Sequence, residues 1–449
     1  MISNIGSDIV VALIVLGVII VIHELGHFLV AKFFKIKVET FSVGFGPRLI
    51  GFRRGDTDYR ISAFPLGGYV KMAGENPGDG VTGADNEFLS KPKWQRFLVA
   101  AAGPLMNIIL AVALLTGLYM YGSEVPEFLN DQAIVGIVEA GSPAADAGVQ
   151  PGDRIITVDD KQNPNWQEIE SRILINPGRP LPIVFERNAQ RIELSITPIR
   201  KGTADAGYVG MAPLVRVVVR RVWPDYPAAK AGIQAGDEVL SVNGIDLRTV
   251  GHSIQEVMQG INAPTFPIEV LRKSPAGAAQ GEVKQLEVTP IVQDGRKMIG
   301  IDIPLPTVMI KLGFAGALKK SVDTNVENAS LIFQVIGKLF TREASLKQLD
   351  GPIGIVRVSG QAFDLGLATL ISLMAVISLN LGLLNALPIP ILDGGVMTML
   401  LVEGIMGRDL SLRLKERIVQ VSFVFLLMLT VFVLYNDVLK LLPSNQPTP

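Results

Sequence analysis

Long apolar stretches alternate with polar segments along this chain, and four of these stretches predict helices that cross a membrane. At 1.5 Å per residue, the first would form a helix of roughly 33 Å, which is enough to span the hydrocarbon core of a bilayer. The four predicted spans are residues 9–30, 97–121, 365 to about 384, and 418–435.

The third apolar stretch contains an interruption. Residues 385–395 have the sequence N-A-L-P-I-P-I-L-D-G-G, with two prolines and two glycines. Because proline removes a helical hydrogen bond, we expect the span to end near residue 384 and a short helix to follow an unwound section. Asp393 is the only charged residue between residues 365 and 402.

Lysine and arginine are concentrated in two polar segments, residues 31–96 and 403–417. Such an excess marks the cytoplasmic side of a membrane, so we predict that both termini and the long segment 122–303 lie on the outer side. The N-terminus has neither a basic region nor a small-residue cleavage site, and we expect a retained anchor there rather than a signal peptide.

Within the first basic segment, residues 41–50 and 59–72 predict two short strands with turns at their glycines and prolines. Two interpretations of these strands stay open. They form an ordinary cytoplasmic hairpin, or their edge lies beside a reaction site and holds a substrate as an added strand.

The outer segment contains a repeat. Residues 142–160 (S-P-A-A-D-A-G-V-Q-P-G-D-R-I-I-T-V-D-D) recur 84 residues later as residues 226–244 (Y-P-A-A-K-A-G-I-Q-A-G-D-E-V-L-S-V-N-G). This period is too long for a solenoid unit and predicts two tandem small domains, each with strands around one helix, at residues 166–175 and 252–258. His252 starts the second helix, and we expect it to be an ordinary surface or capping residue.

The repeated pattern P-A-x-x-A-G-[VI]-x-x-G-D resembles the PDZ fold, whose members bind extended peptides or C-termini by strand addition. The alternative is a pair of domains that serves only as a spacer or size filter. The predicted fold class is therefore a polytopic α-helical membrane protein with four transmembrane helices and two tandem PDZ-like α/β domains between spans two and three.

The predicted boundaries follow from these elements. The first two spans and the strand segment occupy residues 1–125, and the two PDZ-like domains occupy residues 126–213 and 214–304. Residues 305–364 form an amphipathic juxtamembrane region with a helix at 326–340, which lies on the membrane surface or packs on the spans. The last two spans occupy residues 365–449.

Composition agrees with a membrane protein and limits its chemistry. Of 449 residues, 49% are hydrophobic and 18% are charged, and the mean hydropathy is +0.39. A net charge of -1 gives no indication of nucleic-acid binding. The chain has no cysteine, which excludes disulfides, cysteine zinc sites and thiol catalysis, so a metal must be held by histidine, aspartate or glutamate.

The chemistry is concentrated in residues 21–28, V-I-H-E-L-G-H-F, near the end of the first span. His23 and His27 are four residues apart and share one helical face, with Glu24 beside them. This is the H-E-x-x-H arrangement of two zinc ligands and a carboxylate that accepts a proton from water. The alternative, a chance motif on a packed helix, would bury three polar groups without partners at a severe cost.

Asp393 is the expected third ligand. Spans one and three both run inward, so His23, His27 and Asp393 lie at similar depth near the inner ends. A catalytic zinc site needs three protein ligands. A charged side chain near the centre of the bilayer costs at least ~2.5–3.5 kcal/mol, so a residue such as Asp393 is expected there only where it serves a site. The alternative is an aspartate that caps a helix at the membrane interface.

Two asparagines lie near these residues. Asn385, in the predicted unwound section, could hydrogen-bond a substrate backbone or a developing oxyanion, or could simply satisfy broken helix backbone. Asn107 belongs to G-P-L-M-N in the second span, where helix packing explains the pattern and we expect a structural rather than a chemical role.

The motifs H-E-L-G-H, G-P-L-M-N and N-A-L-P-I-P-I-L-D-G-G, with two PDZ-like domains between the second and third, resemble the site-two protease family over nearly the whole chain. The resemblance implies zinc bound by His23, His27 and Asp393, with Glu24 as the catalytic base. It also implies that Asn385 assists substrate binding, and that a membrane-associated β-loop clamps extended substrate through Gly44, Phe45, Gly46 and Pro47.

The same resemblance implies an enzyme of the bacterial inner membrane that cleaves transmembrane segments of single-pass proteins after another protease has trimmed them. Implied substrates are the anti-sigma factor RseA and remnant signal peptides, in the sigma-E envelope stress response, with the PDZ pair in the periplasm excluding untrimmed proteins. The alternative is a membrane-anchored PDZ receptor or scaffold with a non-catalytic metal site. An ion transporter would need polar residues along several spans, and those are scarce here.

Overall fold

The computed structural model describes residues 5–75, 82–130, 132–202, 205–247, 254–272, 281–293, 296–303, 307–341 and 351–441. The chain divides into two compact units. The first combines Met1–Ser123, Lys311–Gly337 and Leu349–Pro449, and the second combines Glu124–Ile310 and Lys338–Gln348.

Twelve helices are formed by the described residues. They are α1 Ile5–Phe33, α2 Lys93–Tyr121, α3 Glu127–Asn130, α4 Pro143–Asp146, α5 Trp166–Leu174, α6 Pro227–Ala231, α7 Ile254–Gly260, α8 Phe314–Phe340, α9 Pro352–Asp364, α10 Leu367–Asn385, α11 Asp393–Met406 and α12 Leu412–Leu441. Four of them, α1, α2, α10 and α12, contain segments long and apolar enough to cross a membrane, as the four apolar stretches predicted.

Twenty strands are formed by the same part of the chain. They are β1 Val38–Arg54, β2 Thr57–Met72, β3 Ser123–Pro126, β4 Val135–Val138, β5 Arg154–Val158, β6 Lys161–Gln162, β7 Leu181–Arg187, β8 Gln190–Ile196, β9 Ile199–Lys201, β10 Ala206–Tyr208, β11 Met211–Pro213, β12 Arg221–Val222, β13 Glu238–Val242, β14 Ile245–Asp246, β15 Phe266–Arg272, β16 Glu282–Val288, β17 Ile291–Gln293, β18 Arg296–Met298, β19 Ile301–Asp302 and β20 Thr307–Ile310.

Helix α2 is the centre of the helical unit, since both α1 and α10 pack along it. Ala111, Leu115 and Leu118 of α2 form a buried cluster with Ala375 and Leu379 of α10. On the α1 side the backbones come close, because a Cβ atom on Gly26 would clash with the backbone carbonyl of Ala102 on α2. Small residues therefore allow the close helix approach that membrane helices use.

Helix α12 is attached differently from the other long helices. None of its most apolar 18-residue window is buried (0%), whereas 44% of the corresponding window of α2 is. Polar contacts hold it near both of its ends. The buried carboxylate of Asp437 accepts hydrogen bonds from the backbone N–H groups of Gly351, Ile353 and Gly354, at the start of α9.

At the other end of α12, Lys415 forms an ion pair with Glu403 of α11. Glu403 is completely buried (0% exposed), and its Oε1 atom also accepts from the backbone N–H of Leu410. The polar loop predicted at residues 403–417 is therefore shorter in the structure, where residues 407–411 connect α11 to α12. The ion pair with Lys415 offsets part of the cost of burying the Glu403 carboxylate.

Strands β1 and β2 form a curved hairpin in which the middle of β1 has neighbours on both sides. Phe41 pairs with Tyr59 and also with Val70, both from β2. The end of β2 that contains Val70 is thus an edge, with β1 on one side only among the described residues. The two strands predicted in this segment are present and are longer than the pattern indicated.

In the second unit the two halves of the repeat have the same sheet order. One sheet runs β6-β5-β7-β8 and the other β14-β13-β15-β16. Equivalent core positions, such as Val135 with Val219 and Ile155 with Val239, are 84 residues apart and buried in separate clusters. Each half therefore has its own hydrophobic core, while its assignment as a PDZ-like domain stays a prediction.

An ion pair recurs in both halves and explains part of the repeated motif. Asp153 is buried and accepts two hydrogen bonds from Arg187, at 2.6 and 2.7 Å, and one from the backbone N–H of Gln150. The same arginine donates to the carbonyl of Gly148, whose φ of +87° suits glycine. The Asp153 carboxylate raises the pKa of the Arg187 guanidinium through these hydrogen bonds.

The second half repeats this arrangement. Asp237 accepts from Arg272 and from the backbone of Gln234, and Arg272 donates to the carbonyl of Gly232. The glycine and aspartate of the motif thus tie a short helix to a strand that lies about 35 residues further along the chain.

Two predicted helices are present with different bounds. The amphipathic helix predicted at residues 326–340 begins at Phe314 in the structure, because the mixed sequence before residue 326 continues the helix. The helix predicted at 252–258 is observed as α7, Ile254–Gly260. His252 lies outside the described residues.

We expect Asp153→Asn to destabilise the first half of the repeat by about 3 kcal/mol, because it leaves a partly buried guanidinium without its charge partner. Native-state hydrogen exchange on the full chain would measure this as a loss of protection of more than about hundredfold in β5 and β7. Asp160→Asn is the matched control, since the Asp160 side chain is 81% exposed in its ion pair with Arg172. Equal losses in both variants would contradict the role of the buried pair.

Candidate metal centre

Three side chains from two helices meet inside the helical unit. The Nε2 atom of His23 lies 3.1 Å from Oδ2 of Asp393, and Nε2 of His27 lies 3.4 Å from Oδ1 of the same carboxylate. The two Nε2 atoms are 3.2 Å apart. Each residue thus directs one donor atom to a common point, and the three donors lie within 4.8 Å of one another.

Helix geometry explains how the histidines reach this point. His23 and His27 are one turn apart on α1, so their rings project from the same face. Asp393 is the first residue of α11 and follows a turn after α10. A Cβ atom on Gly394 would clash with the carbonyl of Leu387 at this turn, so glycine allows the chain to fold back and present Asp393.

Helix α2 passes directly over the histidines. A Cβ atom on Gly103 would clash with the Nε2 atom of His27 and lie 2.8 Å from Cε1 of His23. The absence of a side chain at this position leaves the space that the two rings occupy.

The outer nitrogens of both rings also have contacts on α2. Nδ1 of His27 donates to the backbone carbonyl of Val99 at 2.8 Å, and Nδ1 of His23 lies 3.2 Å from Nδ2 of Asn107. The sequence pattern predicted a packing role for Asn107 and gave no indication that Val99 belongs to the site. The helical spacing of Val99, Gly103 and Asn107 could have indicated that one face of α2 meets the motif.

These three donors fit a zinc ion. Zinc in proteins takes nitrogen and oxygen ligands at about 2.0–2.2 Å, and a tetrahedron with such bonds has edges of about 3.3–3.6 Å. The two Nε2 atoms are 3.2 Å apart, close to such an edge, and each lies at a similar distance, 3.1 or 3.4 Å, from one of the two oxygens of Asp393. Two imidazoles and one carboxylate are also a donor set of known catalytic zinc sites, which keep one position open for water or substrate.

Glu24 lies beside the cluster, at the edge of the β-hairpin. Its side chain lies against the backbone of β2, since a Cβ atom on Gly68 would lie 3.5 Å from its Cγ atom. A cavity of about 450 Å³ is lined by all four acid and imidazole groups of the site and by the edge of β2, at Tyr69, Val70 and Met72. The cavity can therefore bring a substrate to Glu24 and to the cluster together.

The remaining predicted site residues are not among those lining this cavity. Asn385 is the last residue of α10 and makes no side-chain hydrogen bond within the described part of the chain. Gly44 to Pro47 form a bend in β1, where the ring of Phe45 stacks on Tyr69 at 5.8 Å. Their roles in substrate binding stay predictions.

Comparison with known proteins identifies the family. Residues 11–429 match Peptidase family M50. The chain belongs to peptidase family M50. Membership makes it a metalloprotease and confirms the resemblance to site-two proteases that the motifs indicated.

The M50 chain is 33% identical over 451 residues to Regulator of sigma E protease of Haemophilus influenzae, covering 96% of this chain and 98% of that protein. It is 30% identical over 459 residues to Regulator of sigma-E protease RseP of Escherichia coli, covering 97% and 99%. A protein of Treponema pallidum named as a candidate zinc metalloprotease is 31% identical over 453 residues, covering 96% and 98%. The four apolar helices and these relatives support a bacterial inner-membrane protein.

We expect Gly103→Ala to disturb the metal centre of this M50 chain, because its methyl group needs space that the His27 ring occupies. Metal binding, measured by competition with a chelator, should weaken at least about tenfold. Gly117→Ala is the matched control on the same helix, since a Cβ atom there meets nothing within 4 Å. Unchanged metal binding in Gly103→Ala would show that the rings are not confined by α2.

Proposed function

We propose that this chain is an intramembrane zinc metalloprotease that hydrolyses peptide bonds within transmembrane segments of single-pass proteins. The observation that carries the proposal is the convergence of His23, His27 and Asp393 beside Glu24, with His23, Glu24 and His27 on α1, a helix apolar enough to cross a membrane. Ionisable residues at such depth are costly and are retained for function.

His23, His27 and Asp393 would hold the zinc ion. When bound, zinc acts as a Lewis acid on the scissile carbonyl and lowers the pKa of the attacking water. Glu24 accepts the proton from this water and returns it to the leaving amine.

The edge of β2 offers a way to hold the substrate. Tyr69, Val70 and Met72 line the cavity beside the cluster and belong to a strand with one side free of strand partners among the described residues. An unwound substrate segment can pair with this edge as an added strand, which fixes its carbonyl against the reacting groups. Asn385 and the bend at Gly44, Phe45, Gly46 and Pro47 would assist this binding.

The two halves of the repeat would act as PDZ-like domains in the periplasm, with residues 126–213 and 214–304 as their extents. The excess of lysine and arginine in the segments 31–96 and 403–417 supports this orientation, with both termini also in the periplasm. There the pair would restrict access to substrates that have already lost their outer domains.

Two relatives are named Regulator of sigma E protease and Regulator of sigma-E protease RseP, and these names support a role in envelope stress. The proposed substrates are an anti-sigma factor of the RseA type and remnant signal peptides, both single-pass segments in the same membrane. A membrane-anchored scaffold with a non-catalytic metal site is the competing function, and it gives no reason for a carboxylate at position 24.

Replacing the proposed base tests the function directly. Glu24→Gln should lower cleavage of a tagged single-span substrate at least about hundredfold, because general-base catalysis contributes 10²–10⁴-fold. The zinc content of the purified full chain should stay unchanged, since Glu24 is not a ligand.

The control is Glu416→Gln, an exposed glutamate on α12, which should cleave normally. A wild-type chain treated with a zinc chelator should be inactive and recover when zinc is restored. Cleavage that survives Glu24→Gln would contradict the role of Glu24 as the base, and a wild-type chain that binds zinc without cleaving would favour the scaffold.

A further inference from the structure

We propose that Asn107 positions His23 for metal binding by accepting, through Oδ1, a hydrogen bond from the Nδ1–H group of the ring. Asn107 would thereby select the tautomer of His23 whose Nε2 atom can bind zinc. The inference rests on the proposed function only in taking His23 as a zinc ligand.

Asn107 is held firmly between three helices. It is completely buried (0% exposed) on the face of α2 that meets α1. Its backbone carbonyl accepts a hydrogen bond of 2.8 Å from Ser378 on α10. A Cβ atom on Gly382 of α10 would lie 3.2 Å from its own Cβ atom. The side chain therefore has little freedom except rotation of its amide group.

His27 shows what a metal-binding imidazole requires at this site. Its outer nitrogen, Nδ1, faces the carbonyl oxygen of Val99 at 2.8 Å, and a carbonyl can only accept. The proton of neutral His27 is thus fixed on Nδ1, and the lone pair of Nε2 points to the common centre. Metal-binding histidines usually have such an outer acceptor.

His23 needs the same arrangement, because its Nε2 atom also points to the centre. Its Nδ1 atom faces the Asn107 amide at 3.2 Å. If Nδ2 donated to Nδ1, the ring proton would sit on Nε2, where it would hydrogen-bond Asp393 and block the metal. Such a tautomer suits the metal-free site only.

The carbonyl oxygen of Asn107 supports the opposite orientation. Oδ1 is buried and has no hydrogen-bond partner among the described residues. An amide is nearly symmetric in shape, so a rotation of about 180° exchanges Oδ1 and Nδ2 without repacking. After this rotation Oδ1 of Asn107 faces the ring of His23 and accepts a hydrogen bond from its Nδ1–H group. Asn107 can thus serve both tautomers, and zinc binding selects the one in which it accepts.

Two substitutions at position 107 separate accepting from donating. Asn107→Asp keeps an oxygen acceptor and loses the donor, so zinc affinity of the full chain should stay within about threefold of wild type or increase. Asn107→Leu has a similar volume and no acceptor, and its affinity should fall about 10–100-fold, as expected for loss of an outer hydrogen bond. Asn325→Leu, at a buried asparagine of α8, is the control for burying leucine in the helical unit.

A second measurement does not depend on the leucine variant folding. The chain has only three histidines, so nitrogen-15 labelling of histidine gives few signals in solid-state NMR. In zinc-loaded Glu24→Gln protein, the His23 signal should show a protonated Nδ1 atom. In Asn107→Asp, the same proton should shift as expected for a stronger, charge-assisted hydrogen bond.

Two results would overturn the inference. One is an unchanged zinc affinity in Asn107→Leu. The other is an affinity in Asn107→Asp that falls as far as in Asn107→Leu, which would mean that the side chain donates. Both results are measurements of zinc affinity and do not depend on cleavage. If the wild-type chain binds zinc and cleaves its substrate, the proposed function stands even when substitutions at Asn107 have no effect.

Discussion

The helical unit depends on one constraint, which is that polar groups buried among apolar helices must have partners. His23, His27 and Asp393 satisfy it by directing their donor atoms to one another across separations of 3.1 to 3.4 Å. The Nδ1 atoms of both histidines contact polar groups of α2. A site of this kind cannot be built by one helix, and its requirement for partners is also what brings α1, α2 and α11 together.

Glycine positions are as important to the metal centre as its polar side chains. The histidine rings occupy the space that a methyl group on Gly103 would fill, and Asp393 is presented by a turn that Gly394 permits. In a membrane, helices gain little from hydrophobic burial against one another, so close approach through small residues and paired polar groups decides their packing. The site and the packing of the unit are therefore the same set of contacts.

The shared face of His23 and His27, with Glu24 beside them, could be predicted from helical periodicity alone. Asp393 could be predicted as the third ligand only by excluding other ligand residues and by comparing the directions of the two spans. The contact between Asn107 and His23 could not be predicted, because it depends on how α2 is rotated about its axis. Arg187 was missed because 34 residues separate it from Asp153. The sequence predicted a loop at Glu403, because its ion pair with Lys415 cannot be recognised from the sequence pattern.

The attachment of α12 has a consequence for whatever lies beside it. Polar contacts near its two ends, at Lys415 and Asp437, hold it to α11 and α9, while its most apolar window has no buried residue. The flank of α12 is thus covered by lipid when nothing else is there. A second hydrophobic helix arriving from the membrane would cover the exposed side of this flank mainly by displacing acyl chains, because no side chain of that window is fully buried in the protein.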